Sequence, residues 1–149
     1  MAHSLRHRIG IALLDLMNKW GCVTIKVRKG RLVVKALIET ELNLIMDAFV
    51  AECAAEFGNK LSDVKLFGSY ARGDYSDESD IDVMVILDMS DDEARKCLSR
   101  VCRIASDTDI KYNVTISPVL RSKRKYDLRK NTYGFCRNIE RYGISKYAG

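Results

Sequence analysis

The sequence predicts an α/β fold, with a short mixed sheet and helices packed chiefly on one face of it. Three observations favour this fold class. Apolar residues recur with a helical period between Glu39 and Phe57. The period then changes, because residues 64–67 and 80–87 form short, mainly apolar runs that are typical of buried strands. Another amphipathic helix and a third strand follow, so helices and strands alternate along the chain.

The N-terminal elements are predicted in the following order. Residues 9–20 carry a helical apolar stripe. Residues 23–34 alternate apolar and polar side chains around the turn candidate Lys29-Gly30, which indicates a small hairpin. The helix that ends at Phe57 is followed by the breaker pair Gly58-Asn59.

The C-terminal elements follow from capping and proline signals. Ser90 and Glu93 form a capping-box pattern, which opens a helix that runs to about residue 105. The third strand is predicted over residues 112–117. Since Pro118 cannot donate a ladder hydrogen bond, this strand should lie at an edge of the sheet or end there. A short helix is predicted over residues 135–142, closed by a glycine.

Charge is distributed unevenly along the chain. Residues 1–36 hold eight Lys and Arg against one acid, and residues 121–149 hold nine against two, whereas the centre is acidic. Basic flanks of this kind attract phosphate, RNA or an acidic partner, although they are also ordinary solvated surfaces. No run approaches the length of a membrane span, and the opening residues lack a signal-peptide pattern. We therefore expect a cytoplasmic protein with no membrane partner.

Two carboxylates stand two positions apart at the start of the second strand. Asp80 and Asp82 project from one face of such a strand, with Cβ atoms roughly 6.5 to 7 Å apart, so their carboxyl groups can converge on a metal ion. The opposite face, which begins at Ile81, is apolar throughout. Because unpaired charges are costly to bury, the acidic side should meet a cleft that holds cations or solvent. Mg²⁺, which prefers carboxylate and phosphate oxygens, suits this position.

Four further residues are candidates for nucleotide binding. Gly68 and Ser69 end the preceding strand, where glycine lets the backbone approach phosphates and serine can donate hydrogen bonds to them. Arg72 can neutralise phosphate charge, and Ser79 can orient the start of the Asp strand. Each has a plainer interpretation as an ordinary turn or loop residue, and Asp-x-Asp is common in exposed loops. The combination is more specific than its parts.

The run GSYARGDYSDESDIDV joins these residues as Gly-Ser, ten residues, then Asp-x-Asp. It resembles the active-site signature of the DNA polymerase β-like nucleotidyltransferase superfamily. The longer run LFGSYARGDYSDESDIDVMVIL is most similar to the minimal nucleotidyltransferases, the antitoxin partners of HEPN toxins. The resemblance extends from about Leu37 to the C-terminus. It implies a polymerase β-like nucleotidyltransferase domain over residues 37–149, preceded by a basic extension over residues 1–36.

The resemblance also implies a reaction. Asp80 and Asp82 would be catalytic residues that coordinate two Mg²⁺ ions, while Gly68 and Ser69 hold the β- and γ-phosphates of ATP. A two-ion clamp stabilises the attacking and leaving oxygens of an in-line displacement. The implied activity is the transfer of AMP from ATP to a hydroxyl of a partner protein, a HEPN-type toxin that is thereby neutralised.

The chain departs from this family pattern at a third carboxylate, which the family places on a later strand. Aligned by eye, Thr115 falls at that position, and Ser117 is the next residue on the same face. Asp107 and Asp109 could substitute only if the register shifted. A threonine cannot act as a base that bridges metal ions, so the resemblance alone does not establish that the chain is catalytically active.

Two alternatives therefore stay open beside the AMP-transferring antitoxin. A degenerate fold could neutralise its toxin by binding alone, which the missing third acid motivates. A nucleotidyltransferase could also act on a small molecule or on RNA, and the basic flanks would then give weak RNA binding that falls with salt.

Overall fold

The computed structural model describes residues 25–28, 31–76 and 78–149. The chain divides into two compact units, Met1–Leu44 and Ile45–Gly149. In the first unit, strands β1 (Ile25–Arg28) and β2 (Arg31–Val34) pair antiparallel, which confirms the predicted hairpin. The helix predicted over residues 9–20 lies outside the described residues.

The second unit contains one sheet and the helices that pack on it. Helix α1 (Lys35–Phe57) crosses the boundary between the units in sequence and ends in a 3-10 turn (Gly58–Lys60). The elements that follow are β3 (Leu61–Phe67), α2 (Gly68–Arg72), β4 (Ile81–Leu87), α3 (Asp91–Lys96), α4 (Leu98–Tyr112), β5 (Ile116–Ser122), α5 (Lys123–Arg129), α6 (Gly134–Tyr142) and β6 (Ile144–Ala148). In the part of the chain that the structure describes, no helix combines the length and apolar character needed to cross a bilayer.

The four strands of the second unit lie in the order β5-β4-β3-β6. Strand β4 pairs parallel with β5 and antiparallel with β3, and β3 pairs antiparallel with β6, so the sheet is mixed as predicted. The Asp-bearing strand β4 is internal. Pro118 lies in β5, which is an edge strand, so the expectation drawn from this proline is also confirmed.

The third strand begins later than the sequence predicts, at Ile116 rather than near residue 112. Helix α4 continues to Tyr112 and ends where Asn113 adopts a left-handed conformation, with φ of 53°. The Asp109 carboxylate then accepts a hydrogen bond from the Ile116 N–H at 2.7 Å. The last turns of α4 are mostly polar and exposed, with the buried Thr108 as an exception, so the apolar stripe fades before the helix ends.

Both faces of β4 are buried beyond its first two residues. Val83 and Val85 point to one face and Met84 and Ile86 to the other, and all four are at most 3% exposed. The face of Met84 and Ile86 packs against α5 and α6, through Tyr126, Cys136 and Ile139. The buried residues of α1 and α4 are not part of this cluster. The α/β class is confirmed, but the Asp-bearing face is open only at its end.

A polar network fastens α5 and α6 to the sheet. The buried Tyr126 hydroxyl donates a hydrogen bond to Glu140 at 2.6 Å. Burial, followed by this bond, raises the pKa of Tyr126, so the phenol stays protonated. The Lys65 ammonium lies 3.6 Å from Glu140 and 3.3 Å from Asp63. Asp63 in turn accepts a hydrogen bond from Ser145 of β6 at 2.7 Å. One network therefore joins β3, β6 and both helices.

Replacing Tyr126 by Phe should lower the free energy of unfolding by about 1.5 to 3 kcal/mol, because it removes a hydrogen bond to a charged acceptor while keeping the ring. Urea denaturation of the full chain measures the change. The matched control is Tyr133→Phe, since Tyr133 is 59% exposed and should lose almost nothing. Equal losses in the two variants would contradict the role given to the network.

Candidate active site

The two predicted metal carboxylates lie at the beginning of β4. Asp80 immediately precedes the strand and is exposed, whereas Asp82 is its second residue and is partly buried. Between them, the buried Ile81 donates its N–H to the Thr115 carbonyl at 2.8 Å, which fixes the start of the strand against the segment that leads into β5. Because strand side chains alternate, Asp80 and Asp82 share the face opposite Ile81.

Gly68 brings the backbone against the second carboxylate. Strand β3 ends at Phe67, whose register partner is Asp82, and Gly68 follows with φ of +71°. A Cβ atom at Gly68 would overlap a carboxylate oxygen of Asp82 and would lie only 3.0 Å from its Cγ. Both the backbone conformation and this close approach require glycine. The predicted proximity of the Gly-Ser pair to the Asp strand is therefore present in the structure.

Ser69 lies in the first turn of the short helix α2, next to this contact. Its carbonyl accepts hydrogen bonds from Gly73 and Asp74 at 2.9 and 3.2 Å, so the turn that follows is closed locally. The first N–H groups of a helix have no acceptor within the helix. The backbone around Gly68 and Ser69 can thus offer donors to phosphate oxygens beside Asp82.

Arg72 and Ser79 occupy the loop that links α2 to β4. The Arg72 side chain is half-exposed and donates to Asp74 at 3.3 Å. It is also close enough to Asp82 for its charge to lower that pKa. Ser79 accepts a hydrogen bond from the Ser76 N–H at 2.8 Å, so it closes a turn directly before Asp80. The structure thus brings Arg72 towards the carboxylates and gives Ser79 a structural contact in the loop.

The electrostatics of the pair favour a cation. Burial, and secondly the charge of Asp80, raise the pKa of Asp82 above its usual value, and Arg72 opposes this shift. Two carboxylates that repel each other at the end of a strand suit a hard divalent ion, which prefers oxygen ligands. Among the described residues, no group of three or more His, Cys, Asp or Glu side chains could hold a metal. Any ion here would take its remaining ligands from a bound phosphate or water.

Ser117 lies beside both carboxylates. It is the register partner of Asp82 across the parallel pair of β4 and β5. Its hydroxyl donates to Oδ2 of Asp80 at 3.3 Å. Thr115, which the alignment by eye places at the third-acid position, is exposed and precedes the strand. The sequence placed Ser117 on this face, but its bond to Asp80 depends on a pairing that no local pattern reveals.

The two later acids take no part in the site. The Asp109 carboxylate is bonded to the Ile116 N–H at the entry to β5. Asp107 is exposed and lines a cavity of about 300 Å³ between α1 and α4, with Glu52 and Lys111 among its other walls. The register shift that would have brought either acid to Asp80 and Asp82 is therefore not present.

Two carboxylates at the start of an internal strand, beside a glycine-opened turn, can hold a metal ion against the phosphates of a nucleotide. The family model described as "Nucleotidyltransferase domain" matches residues 47–145, so the chain belongs to the nucleotidyltransferase family. This confirms the family prediction.

Two relatives from Methanocaldococcus jannaschii are similar to the chain over most of its length. "Putative protein adenylyltransferase MJ0141" is 34% identical over 104 residues, which cover 70% of this chain and 97% of the relative. The relative of the same description, MJ1305, is 35% identical over 107 residues, covering 71% and 72% of the two chains.

Solved structures show a more distant likeness. A toxin–antitoxin structure with AMP-PNP has 22% identity and a TM-score of 0.46, with 68% of this chain and 72% of that chain covered. A nucleotidyltransferase structure from Sulfolobus solfataricus has 22% identity and a TM-score of 0.46, with 74% and 86% covered.

Replacing Gly68 by Ala should weaken binding of a non-hydrolysable ATP analogue in Mg²⁺ by at least about tenfold, since the new Cβ displaces Asp82. Gly73→Ala is the matched control. Gly73 also has a positive φ, of 79°, but a Cβ there meets nothing within 4 Å. Both variants should lose about 1 to 2 kcal/mol of stability to backbone strain, and only Gly68→Ala should lose the ligand. Calorimetry and thermal unfolding separate the two effects, and equal loss of binding would contradict the contact's role.

Proposed function

We propose that the chain transfers AMP from ATP to a hydroxyl of a partner protein, and that the partner is a HEPN-type toxin which the modification neutralises. The observation that carries the proposal is the Asp80–Asp82 pair at the open end of β4, with Gly68 against Asp82. The relatives described as protein adenylyltransferases support the choice of AMP and of a protein acceptor. The resemblance of the Gly-Ser and Asp-x-Asp run to the minimal nucleotidyltransferases supports a toxin as the acceptor.

In this proposal, Asp80 and Asp82 hold Mg²⁺ beside the triphosphate. When bound, the ion neutralises phosphate charge and polarises the phosphoryl group. The N–H groups around Gly68 and Ser69 donate to the β- and γ-phosphates, and Arg72 adds positive charge near Asp82. Ser79 accepts the hydrogen bond that closes the turn directly before Asp80. The work of the chain's own residues is thus mainly positioning and electrostatic stabilisation.

The transfer forms one bond at phosphorus and breaks another. The acceptor hydroxyl oxygen forms a bond to the α-phosphorus of ATP, and the bond from that phosphorus to the oxygen bridging to the β-phosphate breaks. Pyrophosphate leaves with that electron pair, and the hydroxyl proton passes to water. The described residues around Asp80 and Asp82 supply no third carboxylate as a base. A cytoplasmic location is part of the proposal, since the reaction consumes ATP.

A second candidate is an antitoxin that acts by binding alone. The specific observation in its favour is Ser117, a neutral residue beside both carboxylates. In that case, the surface of the protein would neutralise the toxin without nucleotide. The two candidates differ in whether Asp80 and Asp82 are required.

Incubation with α-labelled ATP, Mg²⁺ and a HEPN-type partner should label the partner, and Asp80→Asn or Asp82→Asn should reduce the rate by about 100-fold or more. The reason is that each substitution removes a metal ligand whose ion contributes several kcal/mol of charge stabilisation. The rate of label transfer is measured on a gel.

The matched control is Asp88→Asn, the same substitution at an exposed residue just beyond the other end of β4, which should keep full activity. Absence of label together with tight partner binding in all four proteins would favour the binding-only antitoxin. Loss of activity in Asp88→Asn alone would contradict the assignment of the site.

A further inference from the structure

Ser117 stands beside both site carboxylates. The parallel register of β4 and β5 pairs it with Asp82, and paired residues of adjacent strands have side chains on the same face, with backbones about 4.8 Å apart. Its hydroxyl donates to Asp80 at 3.3 Å. On the other side of Asp82 lies the Gly68 backbone, so close that a Cβ atom at Gly68 would overlap the carboxylate.

The described residues offer carboxylate ligands for one divalent ion. The two carboxylates carry two negative charges, and no third acid joins them within the described ranges. Mg²⁺ is commonly held by one or two carboxylates together with substrate phosphates and water. A two-ion site places its ions about 3.5 to 4 Å apart, so a second ion beside the triphosphate needs a further protein ligand, which a third carboxylate would supply. Ser117 provides a neutral hydroxyl, and its proton occupies one lone-pair position of Asp80.

Building on the proposed function, we propose that the site takes a single divalent ion and that Ser117 sets this number as a positioning residue. Its hydroxyl orients the Asp80 carboxylate, at a place where a carboxylate side chain would create a second ion position. Hydrogen-bond partners of metal-binding carboxylates orient those ligands and tune their affinity. One ion would thus replace the two Mg²⁺ ions that the family resemblance implies, while the bonds formed and broken in the AMP transfer stay the same.

The test counts bound Mn²⁺ on the full chain. Spectroscopic titration by electron paramagnetic resonance measures free Mn²⁺, with the protein in slight excess over a non-hydrolysable ATP analogue. The native chain should bind one Mn²⁺ for each protein–nucleotide complex. Ser117→Asp should bind two. The matched control Ser117→Asn has nearly the same size without the charge and should stay at one. Ser117→Ala should also bind one, with an affinity about tenfold lower.

Two Mn²⁺ ions in the native complex would overturn the inference, as would one ion in a Ser117→Asp variant that keeps the native unfolding midpoint. If that variant fails to fold, the native count and the Ser117→Ala affinity still decide. The label-transfer assay on the same preparation separates this inference from the proposed function. Two ions with AMP transfer would overturn the inference alone, whereas absence of both metal binding and transfer would overturn both.

Discussion

The contact between the Asp82 carboxylate and the Gly68 backbone is the constraint on which the site depends. It exists only in one register of β3 and β4, the one that pairs Phe67 with Asp82. A slip of one residue would turn every side chain of β4 to the opposite face of the sheet. The buried residues Val83 and Met84 point to opposite faces and allow only this register. They therefore hold Asp82 against Gly68 in addition to forming the core.

The apolar body of β4 also explains how two repelling acids are tolerated. From Val83 onward the strand is fully buried on both faces, and this burial supplies the stability that the first residues of the strand do not. The cover formed by α5 and α6 begins at Met84 and is fastened by the bond from Tyr126 to Glu140. Asp82 lies just before that cover, so it is partly buried without being enclosed. The open end of a rigid strand can hold charged groups in place while leaving them in reach of water and ligand.

The sequence predicted those features that depend on residues close together in the chain. The capping box at Ser90 has both of its hydrogen bonds, and the Gly-Ser pair lies against the Asp strand as its sequence spacing predicts. Strand β6 and helix α5 were not predicted, because the short polar runs ISKYA and KRKYDLR carry no clear period and depend on tertiary packing. For the same reason the burial of Met84 on the Asp-bearing face could not be foreseen. The hydroxyl contact of Ser117 required the strand register, which only the folded sheet defines.

The raised pKa of Asp82 bears on the choice between an enzyme and a protein that acts only by contact. Its causes are burial and the neighbouring charge of Asp80, so the ionised pair is held against a local energetic penalty. A bound cation removes that penalty, and it also turns a negative surface into one that accepts a polyanionic nucleotide. Metal and nucleotide should therefore bind cooperatively, because each supplies charge or ligands that the other lacks. A surface used only for docking needs neither two carboxylates that repel each other nor a glycine packed against Asp82. The presence of both features favours an enzyme over a protein that acts by binding alone.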